Sequence, residues 1–530
     1  MAPRWRQILR NMLFINVFYP KRRSRRVSFD SLKRVAFTHL ACILFSLIPA
    51  IMYAQGNSLN FSIDQCGASG IASLTEPPIP QPPQVFHARL QASAVPSAYA
   101  CLRYNVSFNR QSAVHFPLGP AVQSGRIYAE VGDAAKVGVA ISNESDHAAS
   151  VQFYLTDAQG ANVGGGTTTI PANGQIARFL DQDPFDAPNP FIGTLTFTSD
   201  TPVGVVAVRG DINENLNFLM PYVPVVALGE TASPILPYFS DGGGSRTDVI
   251  LVNPSDQALA GSIQFWSQGD ATAPAALVNV TIAGQSANTF PYSILPRSAV
   301  RFSTAGDSAN AQLGSINMVP AQNSAAPSGF AIVSSISQGI ITSQRTIRAA
   351  RLGNAFRLYA NGFRIGITMS RGERTFFAVA NPSASPISIN IQLTTTTPSP
   401  LPMPTLTLTR TLTIPANGEI LSYLEDTFGD QNGNVRNGSY FGVIRITSAS
   451  PISVVGFDEL LGVTGPSGLE AVDESAPPVG NRVVPHLVSA GGYEPSVILF
   501  KGSDSQSASG NAQFFSQDGS PFDPTTVGFQ

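Results

Sequence analysis

Apolar and polar residues alternate over short stretches of this chain, and turn residues separate the stretches at intervals of roughly 8 to 12 positions. Such alternation turns one face of each stretch toward a core and the other toward solvent, as in half-buried β-strands. The sequence therefore predicts an antiparallel β-sandwich within residues 126–228. Its predicted strands are Val137–Ile141, Val151–Leu155, Thr167–Ile170, Gln175–Leu180, Gly193–Phe197 and Val203–Val208.

This order of strands recurs later in the chain. Residues 364–478 repeat it, and the pentapeptide Ile-Pro-Ala-Asn-Gly stands in matching strand contexts at Ile170–Gly174 and Ile414–Gly418. Pro fixes φ at the first corner, and Asn and Gly tolerate positive φ, so the pentapeptide predicts a chain reversal between two strands. We call this duplicated unit type A.

A second unit type, B, follows each A unit. The segments Leu236–Phe239 and Gly261–Gln268 have counterparts at Val484–Leu487 and Gly510–Gln517, so the order is A, B, A, B. The period, roughly 115 residues, is that of a domain rather than a solenoid repeat. The last B unit stops at Gln530 and lacks several strands. The sequence is either a fragment or the last unit takes strands from elsewhere, and we expect a fragment.

The predicted organisation is all-β, with tandem antiparallel sandwiches behind an N-terminal signal or anchor helix. Residues 77–83 are rich in proline, which favours extended geometry and is excluded from central strands. The predicted segments are a signal peptide or anchor (1–54), a Pro-rich segment (55–122), sandwich A1 (123–228), sandwich B1 (229–350), sandwich A2 (351–478) and an incomplete sandwich B2 (479–530).

Three features resemble the tandem immunoglobulin-like or fibronectin-type sandwich repeats of secreted bacterial surface proteins. They are Val379–Ser383 with Pro386, the Ile-Pro-Ala-Asn-Gly turn, and Thr447-Ser448 before Pro451–Val455. The resemblance covers about 125–530 and its motifs are structural. It implies an extracellular, modular, non-catalytic protein, and it transfers no functional residue.

The N-terminus carries an export signature. The first 34 residues hold ten basic residues and one acid, Asp30, and an apolar run from Val35 to Tyr53 follows at once. This is a signal peptide that ends near Ala54, or an uncleaved anchor that is just long enough to span a bilayer. Both interpretations place the remainder outside the cell, and they limit membrane contact to this segment.

The exported part is acidic and poor in charge. Only 12% of all residues are charged, and residues 55–530 hold 22 basic and 33 acidic residues, a net charge of about −11. Lys136 and Lys501 are its lysines, so no basic stripe is present to neutralise a phosphate backbone. Nucleic acid is therefore not an expected partner.

Cys66 and Cys101 are the cysteines outside the apolar run, which contains Cys42. An oxidising compartment favours their pairing, so we expect a Cys66–Cys101 disulfide, with two unpaired thiols as the alternative. Closing a loop of this length contributes on the order of 3 to 4 kcal/mol in the chain-entropy model.

Catalytic and metal-binding motifs are missing from the sequence. Acidic loops follow both pentapeptides, with Asp181, Asp183 and Asp186 in the first and Glu425, Asp426 and Asp430 in the second. Their oxygens are candidate calcium ligands, but solvated loops are the expected state. The scattered histidines lack zinc-ligand spacing. We predict no catalytic residue, no resident metal and no cofactor.

Trp266 is the candidate ligand-stacking residue. Strand alternation places it and Phe265 on opposite faces, so one of the two rings points away from the core. A stacking platform for a sugar would need an exposed ring, whereas packing between sheets is the more common use of a large aromatic.

Taken together, the sequence predicts a secreted or cell-surface structural or adhesive repeat protein with an unknown surface or matrix partner. The alternative is a set of extracellular carbohydrate- or calcium-binding modules.

Overall fold

A computed structural model describes residues 54–63, 68–72, 82–92, 96–107, 110–215, 218–229, 234–270, 273–365, 371–396, 406–431, 435, 439–461, 466–475, 481–501 and 508–527. Most of them lie in antiparallel strands and few lie in helices, which confirms the all-β prediction. The apolar run at 35–53 lies outside the described residues. Within them, no helix is long and apolar enough to cross a membrane.

The N-terminal described segment forms six strands. Phe86, Ala88 and Leu90, every second residue of the fourth strand, lie in a buried core, as strand geometry requires. The strands are β1 (Ala54–Gln55), β2 (Ser58–Ile63), β3 (Ala68–Ala72), β4 (Gln84–Ala92), β5 (Pro96–Ser107) and β6 (Arg110–Pro117).

Unit A1 follows the predicted order of strands. Its long strand β12 bends, so that Phe191–Thr198 pairs with one sheet and Val203–Asp211 with the other. The strands are β7 (Val122–Val131), β8 (Ala135–Asn143), β9 (Ala149–Asp157), β10 (Asn162–Ile170), β11 (Gln175–Phe179), β12 (Phe191–Ile212), β13 (Phe218–Leu219), β14 (Tyr222–Val223) and β15 (Val225–Val226).

Unit B1 forms two four-stranded sheets and a small hairpin, β19 with β20. Its strands are β16 (Ile235–Asp241), β17 (Ser245–Val252), β18 (Leu259–Ser267), β19 (Val280–Ile282), β20 (Gln285–Ala287), β21 (Thr289–Ile294), β22 (Ala299–Ser303), β23 (Gln312–Pro320), β24 (Ser328–Ser337) and β25 (Ile340–Arg348).

Unit A2 repeats the arrangement of A1, including the bent strand, which is here β31. Its elements are β26 (Gly353–Ile365), β27 (Arg371–Ala380), β28 (Ile387–Thr396), β29 (Leu406–Ile414), β30 (Glu419–Tyr423), the short helix α1 (Leu424–Phe428), β31 (Ser439–Leu461), β32 (Ser467–Glu470) and β33 (Val472–Asp473). The last described segment holds β34 (Arg482–Ser489), β35 (Tyr493–Lys501), β36 (Ala508–Ser516) and a 3₁₀ turn at Pro524–Val527.

The fourth unit is assembled from both ends of the described chain. The C-terminal strands β34, β35 and β36 supply its first three strands, and β2 to β6 supply the other five. The described strands between residues 58 and 117 therefore complete sandwich B2. The short last unit takes strands from elsewhere in the chain, and that the sequence is a fragment stays a prediction.

All four units share one topology. When the strands of a unit are numbered one to eight along it, one sheet has the order 1-6-3-4 and the other 5-2-7-8. In A units the sixth and seventh strands are the two halves of β12 or β31, and in B units they are separate strands. Types A and B therefore differ in sequence but not in strand pairing.

The units contact one another in cyclic order. Apolar side chains of B1, such as Ile250 and Phe330, lie in the core of A1, and Phe376 and Phe457 of A2 lie in the core of B1. Tyr99 and Phe500 of B2 pack on Val443 of A2. Ala140 and Val206 of A1 join the core of B2, which closes the ring.

The pentapeptide turns contact neighbouring units of this ring through hydrogen bonds. In A1, the Gln175 N–H that follows the turn donates to the Gln517 carbonyl of B2 at 2.8 Å. In A2, the Glu419 N–H donates to the Gln268 carbonyl of B1 at 2.9 Å. The predicted chain reversal is confirmed, and each reversal also fastens its unit to a neighbour.

Asn and Gly have separate roles in these turns. Positive φ occurs at Asn173 (54°) and Asn417 (53°), not at the glycines that follow them. Gly174 and Gly418 are needed for close approach, because a Cβ at Gly418 would lie 2.5 Å from the Gln268 carbonyl oxygen. At Gly174 the corresponding distance is 3.1 Å, to Gln517.

We expect Gly418→Ala to lower the free energy of unfolding by about 1 to 3 kcal/mol, the usual cost of overpacking a tight contact. Gly174→Ala should cost less, because its neighbour is farther away. Urea denaturation of the two variants beside the unchanged protein measures the difference. Equal stability of Gly418→Ala and the parent would show that this joint is looser than described.

Candidate functional site

The eighth strands of the four units lie close together around one cavity. Residues of β6 and β25 face Met220–Tyr222 of A1 and Ser467–Ala471 of A2 across a cavity of about 40 Å³. We call the sheet of order 5-2-7-8 in each unit its inner sheet, and the eighth strand is the edge strand of that sheet. Residues from all four units therefore reach this cavity. It is the candidate binding site that we call the central cavity.

Few of the side chains that line the central cavity carry charge. They are Arg345 and Arg348 of B1 and Glu470 of A2, with His115 of B2 beside them. Arg348 Nη1 and Glu470 Oε2 form an ion pair at 2.5 Å. Arg345 is 6% exposed and has no such partner among the described residues. The residues that line the cavity therefore include two arginines and one glutamate.

A buried cluster of ionisable groups lies at the joint between B2 and A2. Arg103 of β5 forms an ion pair with Glu373 of β27, and Asn361 also donates to that carboxylate. His115 Nε2 lies 3.5 Å from Asp458 Oδ2. The His115 backbone N–H donates to Ser467 Oγ at 3.2 Å. We call Arg103, His115, Glu373 and Asp458 the joint cluster.

Burial sets the ionisation of this cluster. It raises the pKa of the Asp458 carboxyl, and the nearby Glu373 carboxylate adds to the effect. It lowers the pKa of His115, although Asp458 partly offsets this. Both shifts favour the neutral forms of His115 and Asp458, which leaves Arg103 and Glu373 as the charged pair that holds the joint.

Cys101, His115 and Asp458 share a neighbourhood without forming a nucleophilic site. Cys101 and His115 are opposite one another on β5 and β6. The thiol is 1% exposed, and burial raises its pKa. Its polar neighbours are Arg103 and Ser496 rather than the His115 ring. A buried thiol with a raised pKa is a weak nucleophile, so this geometry does not activate it.

The predicted disulfide falls partly outside the described residues. Cys101 has no disulfide partner among the described residues, and Cys66 lies outside them. The Cys66–Cys101 pairing therefore stays a prediction.

Trp266 is half-buried rather than presented to solvent, and Phe265 beside it is fully buried. This agrees with the predicted opposite orientation of the two rings. A bridge between Trp266 and Leu277 covers the strand at this point. Phe515 occupies the corresponding place in B2, where the His87 ring stacks on it and the Arg89 guanidinium lies 4.8 Å from its centroid. The Phe515 ring is therefore used for packing.

The acidic loops bind basic side chains. Asp181 pairs with Lys136, and Asp430 pairs with Arg410 at 2.5 Å. Glu425 lies 3.6 Å from Arg374. Within the described part of the chain, no three His, Cys, Asp or Glu side chains converge to hold a metal ion.

We expect Arg103→Met to lower the free energy of unfolding by about 2 kcal/mol, because it leaves the partly buried Glu373 carboxylate without its cation. Contact of the pair with solvent limits the loss to this size. Adding Glu373→Leu should recover most of the loss, since two apolar side chains leave no unpaired charge. Urea denaturation of the parent, the single and the double variant measures both effects. Equal losses in the two variants would count against the ion pair.

Neither Arg345 nor the joint cluster is predicted by the sequence patterns. The available signal was weak: Arg345 and Arg103 are charged residues inside strands that are otherwise mostly apolar or hydroxyl-bearing. Their partners come from distant parts of the chain, 270 positions away in the case of Arg103 and Glu373. Single-sequence patterns do not reveal which strands lie side by side at such separations.

No protein-family model matches the chain, and no curated protein matches it. Solved structures from infectious bursal disease virus show slight similarity. The structure of the Gx strain has 8% identity and a TM-score of 0.10, covering 75% of this chain and 80% of that chain. The VP2 subviral particle has 8% identity and a TM-score of 0.09, covering 77% and 86%. Scores this low relate neither the folds nor the functions.

Proposed function

We propose that this chain acts outside the cell as a non-catalytic structural or adhesive protein built from immunoglobulin-like sandwiches. The observation that carries the proposal is that both faces of the inner sheets are buried. Along β17, Val249 and Leu251 face the core of B1, whereas Ile250 and Val252 face A1. The interior is thus used for packing between units, which leaves the outer faces and loops for contact with a partner.

The pairing of strands supports part of the immunoglobulin comparison. In each unit the second strand pairs with the fifth and the third with the sixth, as strands B with E and C with F do in immunoglobulin domains. The first, fourth and seventh strands are placed differently, because they pair with the sixth, third and second strands. The units are therefore proposed as relatives in architecture, with their own order at the edges.

Export is the first part of the proposal to test. The full chain is produced in a bacterial host, and protease is added to intact cells. We expect the protein to be degraded or released, and Leu44→Arg with Leu47→Arg, which breaks the apolar run, to be retained and protected. Replacing Arg4 by Gln provides the control. Retention of the unaltered protein inside the cells would overturn an extracellular role.

The adhesive part is tested by binding of the purified protein to glycan arrays, with and without a calcium chelator. A structural or protein-directed role predicts no glycan binding. Binding that is lost on chelation or in Trp266→Ala would favour the carbohydrate- or calcium-binding alternative instead.

A further inference from the structure

Two histidines of B2 lie at its interface with A1. His486 is half-buried, where the register of β34 shifts against β4. His87 of β4 is fully buried, although it points away from the B2 core that the preceding Phe86 joins. Arg89, on the same face of β4 as His87, donates to Glu144 of A1 at 2.7 Å. This face of β4 therefore lies against A1.

A hydrogen bond across the A1–B2 interface requires a neutral His486. The side-chain amide nitrogen of Gln175 in A1 donates to the Pro485 carbonyl at 2.6 Å and lies 2.8 Å from His486 Nδ1. Nδ1 is therefore an acceptor, as in a neutral imidazole but not in an imidazolium. Turning the amide over would not restore the contact, because it would set the Gln175 oxygen against the Pro485 carbonyl oxygen.

Protonation of His87 is also unfavourable at this interface. Its ring stacks on Phe515 at 5.6 Å between centroids, and neither ring nitrogen has a hydrogen-bond partner among the described residues. A second ring proton would place a buried cation beside Arg89. Burial, Arg89 and His486, in this order of size, lower the pKa of His87 to about 3. Burial lowers the pKa of His486 to about 4.

The other ionisable groups described at this interface do not neutralise a protonated histidine. Glu144 is already bound to Arg89. Asp518, in the turn after β36, is exposed, and Arg482 of β34 adds positive charge. Burial raises the pKa of Glu144, so its own proton uptake stabilises the folded state in acid and opposes the effect of the histidines.

The matching interface between A2 and B1 has other residues at both positions. Tyr238 stands where B2 has His486, and Ser315 stands where B2 has His87. Neither side chain gains a proton in mild acid. Burial raises the pKa of Glu419, at the same interface, to about 8, so this carboxyl is neutral in acid. Mild acid thus adds charge at these positions only in the A1–B2 interface.

His115, at the interface between B2 and A2, differs from both histidines. Asp458 Oδ2 lies 3.5 Å from its Nε2, so the protonated ring keeps an acceptor there. Burial lowers the pKa of His115, but Asp458 works against this shift. We therefore expect acid to act first between A1 and B2.

We propose that mild acid opens the ring at the interface between A1 and B2. Protonation of His486 removes the acceptor for Gln175, and protonation of His87 places a second cation beside Arg89. A1 and B2 then separate while residues 118–121 keep them joined. Because both pKa values are lowered in the closed form, the interface is stable above about pH 6.5 and weakens as pH falls, by up to about tenfold per pH unit for each histidine.

Hydrogen exchange of the full chain, read by mass spectrometry from pH 7.5 to pH 4.5, tests the proposal. The Gln175 N–H donates across A1–B2, and the Glu419 N–H donates across A2–B1, so one protein supplies both interfaces. After correction for the intrinsic rate at each pH, protection of the Gln175 peptide should fall by about tenfold or more between pH 6.5 and pH 4.5, while that of the Glu419 peptide stays unchanged. Constant protection of the Gln175 peptide, or a parallel loss in both, overturns the proposal.

Variants assign the effect to the histidines. His486→Tyr with His87→Ser introduces the residues of B1 and should keep the Gln175 peptide protected in acid. His486→Asn, whose amide oxygen accepts from Gln175, should reduce the acid response and covers the case in which the double variant does not fold. The matched control is His147→Asn, at a histidine of A1 whose side chain is 65% exposed, and it should respond to acid as the parent does. An unchanged response in the His486 variants, or its loss in the control, overturns the assignment.

Discussion

Replacing Phe86 by Ala is expected to lower the free energy of unfolding by about 3 to 5 kcal/mol, the usual range for deleting a buried aromatic ring. Phe86 lies on β4, in the N-terminal part of the fourth unit, and is fully buried. Its ring stacks on Phe522 at 4.4 Å between centroids and lies 6.2 Å from Phe514. Both partners come from the C-terminal part, so the variant loosens the closure of the ring.

A double-mutant cycle tests this contact. If Phe86 packs on Phe522, the effects of Phe86→Ala and Phe522→Ala should fall short of additivity by about 0.5 to 1.5 kcal/mol. Ile192→Ala, at a side chain that is 48% exposed, provides the control and should change stability by less than about 0.5 kcal/mol. Strictly additive effects would mean that the two rings do not touch.

Glu419→Gln is expected to stabilise the protein at pH 8 by an amount on the order of 3 to 5 kcal/mol and to leave stability near pH 4.5 almost unchanged. Glu419 is 1% exposed, and among the described residues neither of its carboxylate oxygens has a hydrogen-bond partner of good geometry. Burial raises the pKa of this carboxyl to about 8, and the nearby Gln268 amide only partly offsets the shift.

The direction with pH follows from proton binding. Because the pKa is higher in the folded protein than the ordinary value of 4.5, the folded state holds the proton more strongly than the unfolded chain does. Stability therefore falls as pH rises from about 4.5 to about 8, and glutamine, which does not ionise, removes this fall. Unit A1 already has Gln175 at the equivalent place, where its amide donates to the Pro485 carbonyl at 2.6 Å.

Chemical denaturation from pH 4.5 to pH 8.5 measures this effect, with Asp133→Asn, at an exposed side chain, as the control. A variant whose stability varies with pH as steeply as that of the parent would show that Glu419 is solvated or paired.

Local patterns in the sequence predict the strands well. Val137–Ile141 falls within β8, Val151–Leu155 within β9, and Gln175–Leu180 overlaps β11. The repeated pentapeptide correctly predicts a corner, because Pro and Asn impose backbone geometry locally. The assignment of positive φ within it needed the structure, which places it at Asn173 and Asn417.

Sequence patterns do not predict which distant strands pair. Alternation predicts that a segment is a strand with one buried face, but it does not identify the neighbouring strand. The short last unit signalled missing strands, and the N-terminal segment held candidates such as the alternating residues 100–108. Nothing local connects Phe61 with Gly510, which are paired across more than 400 residues. The central cavity and the joint cluster depend on the same long-range closure, so they were also out of reach.

Strands from both ends of the described chain close the fourth unit. A cross-link between β2 and β36 tests this closure most directly. Asn60 and Asn511 are opposite one another in the antiparallel pair, at a separation that a disulfide can span. In Asn60→Cys with Asn511→Cys, mild oxidation should link the two peptides, as identified by mass spectrometry after proteolysis. Asn60→Cys with Asn354→Cys, in A2, is the control and should stay unlinked. Free thiols at both 60 and 511 after oxidation, in a protein that remains folded, would contradict the account.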